Sequence, residues 1–153
     1  MTARSSHWPL HFEDIAEGQV FETLGLTITE DAIIQFALQW DFHPFHVDRT
    51  AASDSEFGGL IASGLHSLVV TYRLFNQLGP LVGTAIGIEL NKLRWLRPLK
   101  AGDTIRTAFS ISHRRESKSR PKFGIVGFGM RTTNQNEETV LLGELVCLVR
   151  KRG

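Results

Sequence analysis

Residues 60–78 read LIASGLHSLVVTYRLFNQL, the segment with the most apolar residues at helical spacing. These residues recur every three or four positions but cover more than one side of the predicted helix. The residues on these sides of the helix are apolar except for one glutamine, and they are Leu65, Leu68, Val69, Tyr72, Phe75, Gln77 and Leu78. A helix that is apolar around much of its circumference is buried on several sides. Gly79 and Pro80 end it, because glycine favours the position after a helix and proline cannot continue one.

Four segments after this helix are strand candidates. They lie at residues 83–96, 103–116, 122–134 and 139–151. Turn-forming residues separate them, so the strands are consecutive and their connections are short. This spacing favours an antiparallel meander. In the second strand, Ile105, Thr107, Phe109 and Ile111 alternate with polar or small residues. The alternation predicts a sheet with one buried face.

The part of the chain before the long helix predicts a strand and a shorter helix. Residues 18–29 (GQVFETLGLTIT) form the strand candidate, and the helix begins near Thr29. Thr27 or Thr29 caps it, and acidic residues follow in its first turn. Its apolar face is Ile33, Ile34, Ala37, Leu38 and Trp40. A further helical turn is expected at residues 49–56.

These elements predict an α+β domain of two layers, with a long buried helix wrapped by a strongly curved antiparallel sheet. The 153 residues are of single-domain size, so residues 1–153 are expected to form one domain. The net charge of +1 disfavours a general nucleic-acid binder. The lone Cys147 excludes an internal disulfide and is expected to be a buried strand residue. No apolar run is long enough to span a membrane, and residues 1–8 lack a signal-peptide core, so a cytoplasmic protein is expected.

Residues 41–48 (DFHPFHVD) combine acids and histidines with a rigid proline. Pro44 stops regular helix, so this segment is either an irregular crossing or a short helical restart. Histidine exchanges protons near neutral pH, and a carboxylate beside it can orient its ring or a water. The segment therefore offers two carboxylates, Asp41 and Asp48, and two imidazoles, His43 and His46, as candidate acid–base groups. The alternative is a polar connection whose histidine packs against a helix end.

Residues 61–65 (IASGL) open the long helix and are the second candidate site element. The unpaired N–H groups and the dipole of a helix start stabilise a developing negative charge. Gly64 lets another group approach the backbone closely. The alternative is an ordinary N-cap at Ser63 with tight packing of helix on sheet.

Three segments carry a resemblance to a known family: residues 41–48, residues 58–65, and residues 93–103 (LRWLRPLKAGD). They look like the MaoC-like dehydratases, also called R-specific enoyl-CoA hydratases, and the likeness extends roughly over residues 11–150. The most specific match is the pattern Asp-x-x-Pro-x-His-x-Asp, met at Asp41, Pro44, His46 and Asp48. The resemblance implies a hot-dog fold with residues 65–78 as the central helix.

The resemblance also implies a function, the reversible addition of water to a trans-2-enoyl-CoA in fatty acid metabolism. Asp41 and His46 would activate the water, and the backbone N–H at Gly64, flanked by Ser63 and Leu65, would hold the thioester oxygen. Coenzyme A, or less often acyl carrier protein, would carry the acyl group. No metal and no redox cofactor is implied, no nucleic acid or membrane is an expected partner, and a homodimer or dimer of dimers is expected.

The chain departs from the family pattern at three positions. His43 stands where asparagine is frequent, Ser63 where many members have histidine, and Val69 where some have a serine. Two other functions stay open, a hot-dog acyl-CoA thioesterase and a non-catalytic acyl-binding domain. The predicted helix carries no Asp or Glu of the kind that such thioesterases use. A weaker expectation places Trp40, Phe42 and Phe45 around the acyl pocket, and His66 could also face the site.

Overall fold

The computed structural model describes residues 9–79 and 84–153. The predictions for residues 1–8, for Pro80 and for Gly83 lie outside this part of the chain. The helices are α1 (Glu30–Trp40), α2 (Pro44–Val47), α3 (Arg49–Asp54) and α4 (Gly64–Gln77), after one 3-10 turn at Phe12–Asp14. The strands are β1 (Val20–Glu22), β2 (Leu26–Thr27), β3 (Ala85–Trp95), β4 (Thr104–Glu116), β5 (Phe123–Thr133) and β6 (Thr139–Arg150).

Helix α4 is the predicted long helix, but its burial differs from the prediction. Its sheet-facing residues are buried: His66, Ser67, Val70, Thr71, Leu74 and Phe75. Leu65, Val69 and Tyr72 form a stripe along the helix that is 44–53% exposed. The prediction of burial on several sides is therefore wrong for this stripe. The sheet and α1 pack against the buried side of α4, and none of the described elements covers this stripe.

The sheet has the order β1-β4-β5-β6-β3, with all pairs antiparallel, and β2 also pairs with β4. The predicted meander is confirmed for β4, β5 and β6 and is wrong for β3, which pairs with β6 at the far edge. The reason is the β3–β4 connection, which is held under the start of α4 instead of making a hairpin. Ala62 N donates to Leu99 O there at 2.8 Å, and Ile61 bridges Lys100.

The core lies between α4 and the sheet. The predicted alternation in β4 is confirmed, because Ile105, Thr107, Phe109 and Ile111 are all buried. Phe75 of α4 packs edge-on against Phe109 and against Phe128 of β5, with ring centroids 5.0 Å apart in both pairs. Cys147 is buried in β6 as predicted, and burial raises the pKa of its thiol to about 12.

The segment before α4 is more broken than the sequence predicted. The single strand at residues 18–29 is two short strands, β1 and β2. Thr29 caps α1, and its hydroxyl accepts from Ala32 N at 3.2 Å. Ile33 and Ala37 of the predicted apolar face are buried, whereas Trp40 is 69% exposed. Among the described residues, no helix is both long and apolar enough to cross a membrane.

Candidate active site

Asp41 and His46 come from two helices that meet at a sharp turn. Asp41 is the C-terminal cap of α1, where its N–H donates to Ala37 O at 3.1 Å. Pro44 is the first residue of α2, a position where proline's missing N–H costs nothing. Residues 41–48 are thus a helix end followed by a short restart, the second of the two predicted alternatives. This restart carries His46 inward, so that it is only 5% exposed.

A backbone carbonyl fixes the orientation of the His46 ring. Nδ1 of His46 lies 2.6 Å from Ile61 O, and since a carbonyl can only accept, Nδ1 carries the proton. When the ring is neutral, Nε2 therefore has no proton and carries a lone pair that can accept a hydrogen bond. It points at Asp41, and the Asp41 Oδ2 atom lies 3.6 Å away. The two predicted catalytic groups are therefore adjacent, with His46 oriented from behind.

The Asp41 carboxylate has two further hydrogen bonds. Ser63 Oγ donates to Oδ2 at 2.5 Å, and His43 Nδ1 lies 2.7 Å from Oδ1. The Ser63 hydrogen bond is the largest cause that lowers the pKa of Asp41 below its ordinary value. Burial opposes the shift, and the His43 hydrogen bond adds to it. The carboxylate is thus held ionised and in a fixed position beside His46 Nε2.

The start of α4 places Ser63 and Gly64 at the same point. Ser63 is the N-cap, and its Oγ accepts from Leu65 N at 3.1 Å. The Ser63 hydroxyl thus caps the helix and also contacts Asp41. Ser63 is therefore both the N-cap of α4 and a residue of the candidate site. Among the described residues, the Gly64 N–H has no hydrogen-bond partner. Leu65 is 48% exposed and belongs to the apolar stripe.

Trp95 explains why position 64 is glycine. Its indole Nε1 donates to Gly64 O at 2.8 Å. A Cβ on Gly64 would lie 2.9 Å from the indole ring, which is closer than carbon atoms approach in folded proteins. The sequence identified the close approach at Gly64 but not its partner, although Trp95 lies in one of the segments that carry the family resemblance.

A cavity of about 260 Å³ opens beside His46. It is lined by His46, Phe57, Ile61, Ala62, Gly64, Ser67, Trp95, Leu96, Arg97, Pro98 and Leu99. The aromatic walls are Phe57 and Trp95, so the expectation of a pocket around Trp40, Phe42 and Phe45 is wrong. Trp40 and Phe42 are each 69% exposed, because the turn that carries His46 inward points both rings outward.

Asp48 of the pattern and His66 of α4 have structural positions. Asp48 is the N-cap of α3 and accepts from Thr50 N and Ala51 N, so it supports the restart and does not contact the pair. His66 stacks on Phe36 with ring centroids 4.6 Å apart. Burial, with a smaller contribution from His46, lowers the pKa of His66, so this ring is a neutral packing group.

The sequence profile of the MaoC-like domain matches residues 12–133, a span that includes every site residue described above. The chain belongs to the MaoC-like family. The MaoC-like dehydratase from Rhodospirillum rubrum superposes with a TM-score of 0.87 and 36% identity, over 94% of this chain and 99% of that one. The R-hydratase PhaJ1 from Pseudomonas aeruginosa has a TM-score of 0.77 and 25% identity, over 93% and 86%.

Among curated sequences, the uncharacterized protein YdeM of Bacillus subtilis is 30% identical over 93% of this chain and 100% of its own length. The predicted family and its α+β hot-dog fold are thus confirmed, with α4 as the central helix on an antiparallel sheet. The family is one of hydratases and dehydratases. Membership in the family therefore indicates the class of reaction. The acyl substrate and the roles of individual residues in this chain are proposals.

Proposed function

We propose that the protein hydrates and dehydrates acyl thioesters, with Asp41 and His46 as its catalytic pair. The observation that carries the proposal is the pair itself. When the His46 ring is neutral, Asp41 Oδ2 and His46 Nε2 are both hydrogen-bond acceptors, and they lie 3.6 Å apart. Two acceptors this close repel each other, and a donor that bonds to both of them relieves the repulsion. A water molecule satisfies both, because it can donate one hydrogen to each.

Such a water is oriented for addition to a double bond. Its two hydrogens point at Asp41 and His46, so an oxygen lone pair faces the cavity. When that lone pair bonds to the β-carbon of a trans-2-enoyl thioester, the pair accepts a proton from the water. The electrons of the C=C bond move toward the thioester oxygen, and the pair returns one proton to the α-carbon. The reverse sequence is the dehydration.

The start of α4 is suited to hold the thioester oxygen. The Gly64 N–H is unpartnered among the described residues and lies at the positive end of the α4 dipole. Negative charge on the oxygen grows as the enolate forms, and a fixed N–H donor stabilises that charge most at this point. Ser63 and Leu65 flank the donor, and Ser63 also fixes Asp41, so both halves of the site share one helix end.

We also propose that a second copy of the chain covers the exposed side of α4. The apolar stripe Leu65, Val69 and Tyr72 lies beside β3, which carries the exposed apolar side chains Ile86, Ile88 and Leu90. β3 is a sheet edge of eleven residues whose outer backbone groups are free to pair. A two-fold axis would pair β3 with itself and bury both apolar surfaces. Light scattering tests this: Val69→Asp should give a folded monomer where the wild type is a dimer.

The remaining parts of the proposal concern the setting of the reaction. We propose that residues 1–153 form a single domain that acts in the cytoplasm on coenzyme A thioesters of fatty acid metabolism. The catalytic residues named above supply every proton transfer, so the scheme requires no cofactor. The likeness to the R-hydratase PhaJ1 supports the hydratase part of this proposal.

The test follows the loss of the ultraviolet absorbance of crotonyl-CoA, whose conjugated double bond disappears on hydration. His46→Ala and Asp41→Asn should each lower the rate by about a hundred- to ten-thousand-fold. His113→Ala is the matched control, because His113 also lies beside a carboxylate, at 3.8 Å from Glu144, on the far side of the sheet. Full activity in either site variant would overturn the catalytic assignment. Release of free thiol by the wild type would favour the thioesterase alternative, and binding without turnover would favour an acyl-binding domain.

A further inference from the structure

His43 makes the site of this chain a cluster of three potential metal ligands. One donor atom each from Asp41, His43 and His46 lies within 4.8 Å of the others. Two imidazole nitrogens and one carboxylate oxygen are a ligand set that first-row divalent ions such as Zn²⁺ favour over Mg²⁺ or Ca²⁺. The family resemblance implied no metal at this site, and His43 stands where the family often has asparagine.

We propose that Asp41, His43 and His46 bind a divalent zinc-class ion, and that this ion excludes the catalytic water. Asp41 Oδ1 and His43 Nδ1 are already 2.7 Å apart, and Asp41 Oδ2 and His46 Nε2 are 3.6 Å apart. Ligand atoms about 2.0–2.2 Å from a tetrahedral ion lie about 3.3–3.6 Å apart, and Asp41 Oδ2 and His46 Nε2 already match this separation. His43 Nδ1 contacts the other Asp41 oxygen, so the His43 side chain, which is 57% exposed, must rotate to bring a ring nitrogen to the third ligand position.

Each of the two inner ligands has an outer hydrogen-bond partner that holds it in place. Ile61 O accepts from His46 Nδ1, which directs the Nε2 lone pair into the cluster. Ser63 Oγ donates to Asp41 Oδ2. Backbone carbonyls and hydroxyls in these positions are the usual supports of metal-binding histidines and carboxylates. His43 is the third ligand and the exposed one, so the ion would enter from its side.

The predicted consequence is inhibition, which rests on the proposed hydratase function. The ion would use the His46 Nε2 lone pair and an Asp41 oxygen, the same atoms that the water requires. A bound ion therefore removes the base and the water site together. Because metal binding itself does not depend on turnover, it can be measured separately from the reaction.

The first experiment measures Zn²⁺ binding to the full chain by titration calorimetry, with Mg²⁺ as the comparison ion. His43→Asn should weaken Zn²⁺ binding by at least about tenfold, since losing even an outer partner of a metal ligand costs about 10–100-fold. His113→Asn removes a histidine that also lies beside a carboxylate, far from the site, and should leave the affinity unchanged. Thermal melts check that both variants are folded. Co²⁺ absorbance gives an independent signature of nitrogen and oxygen ligation in the wild type and its loss in His43→Asn.

The second experiment measures hydration of crotonyl-CoA with Zn²⁺ and then with a chelator. We expect the rate to fall with the same midpoint as the calorimetric titration and to recover on chelation. The proposal is wrong if Zn²⁺ does not bind, or if it binds equally well to His43→Asn. It is also wrong if bound Zn²⁺ leaves hydration unchanged or accelerates it. If crotonyl-CoA is not hydrated at all, the calorimetric result still decides the metal site, and only the hydratase proposal fails.

Discussion

Ser63→Ala tests whether one hydroxyl joins the fold to the chemistry. The Ser63 hydroxyl donates to Asp41 Oδ2 at 2.5 Å and accepts from Leu65 N at 3.1 Å. Loss of the cap destabilises the protein by about 1 kcal/mol. A hydrogen bond to a charged group contributes about 1.5–3 kcal/mol, but the Asp41 side chain is 23% exposed, so water replaces much of it. We therefore expect a total loss of about 2 kcal/mol.

The expected effects are measurable in two assays. For a chain of this length, about 2 kcal/mol lowers Tm by about 4–8 °C. Without its anchor, the Asp41 carboxylate is less well placed beside His46, and we expect kcat to fall by about tenfold, with little change in KM. Tenfold corresponds to about 1.4 kcal/mol of lost transition-state stabilisation.

Ser63→Gly separates the two contributions. Glycine is an acceptable N-cap and costs only a few tenths of a kcal/mol there, but it cannot donate to Asp41. We expect it to melt about 1–3 °C above Ser63→Ala and to show the same loss of kcat. Ser112→Ala is the control, because Ser112 Oγ donates to the Glu144 carboxylate at 2.7 Å away from the site. If both Ser63 variants keep kcat within about twofold of wild type, or if glycine restores it, the Asp41 anchor has no catalytic role.

Three further predictions concern other parts of the structure. Gly64→Ala should displace the Trp95 indole, shift tryptophan emission and lower hydration; unchanged emission would contradict the packing described for Gly64. Cys147 should resist thiol reagents at pH 8 in the folded protein and react in urea, because burial raises its pKa to about 12; rapid labelling without denaturant would show that the strand opens. A hydrogen bond from a serine is the chief cause that lowers the folded pKa of Glu144. The Glu144 carboxylate therefore stabilises the fold at neutral pH, and this stabilisation is lost as pH falls through the folded pKa. Glu144→Gln should therefore be less stable at pH 7 and show a smaller loss of stability on acidification, as measured by urea unfolding; parallel curves for the two proteins would refute this.

Local patterns in the sequence determined the elements and the identity of the site residues. The spacing of apolar residues predicted α4 and the four long strands to within a few residues, because side-chain burial in one element repeats with that element's own period. The cap at Ser63 and the proline at position 44 are also local signals. The resemblance of residues 41–48 to the family pattern is what singled out Asp41 and His46, and it did not say how far apart they lie.

Contacts between distant residues decided the rest. β3 lies at the sheet edge beside β6 because the segment after it is bonded to Ile61 and Ala62. Neither these hydrogen bonds nor the indole against Gly64 has a periodic signal, since each joins residues more than thirty positions apart. The exposure of the stripe on α4 could not be predicted for the same reason. The sequence shows that a residue is apolar, but it does not show which element packs against that residue. The 3.6 Å separation of Asp41 and His46 likewise exists only because a serine and a carbonyl before α4 hold them. The sequence therefore identifies the Asp41 carboxylate and the His46 imidazole, and tertiary packing sets the distance between them at which both can contact one water.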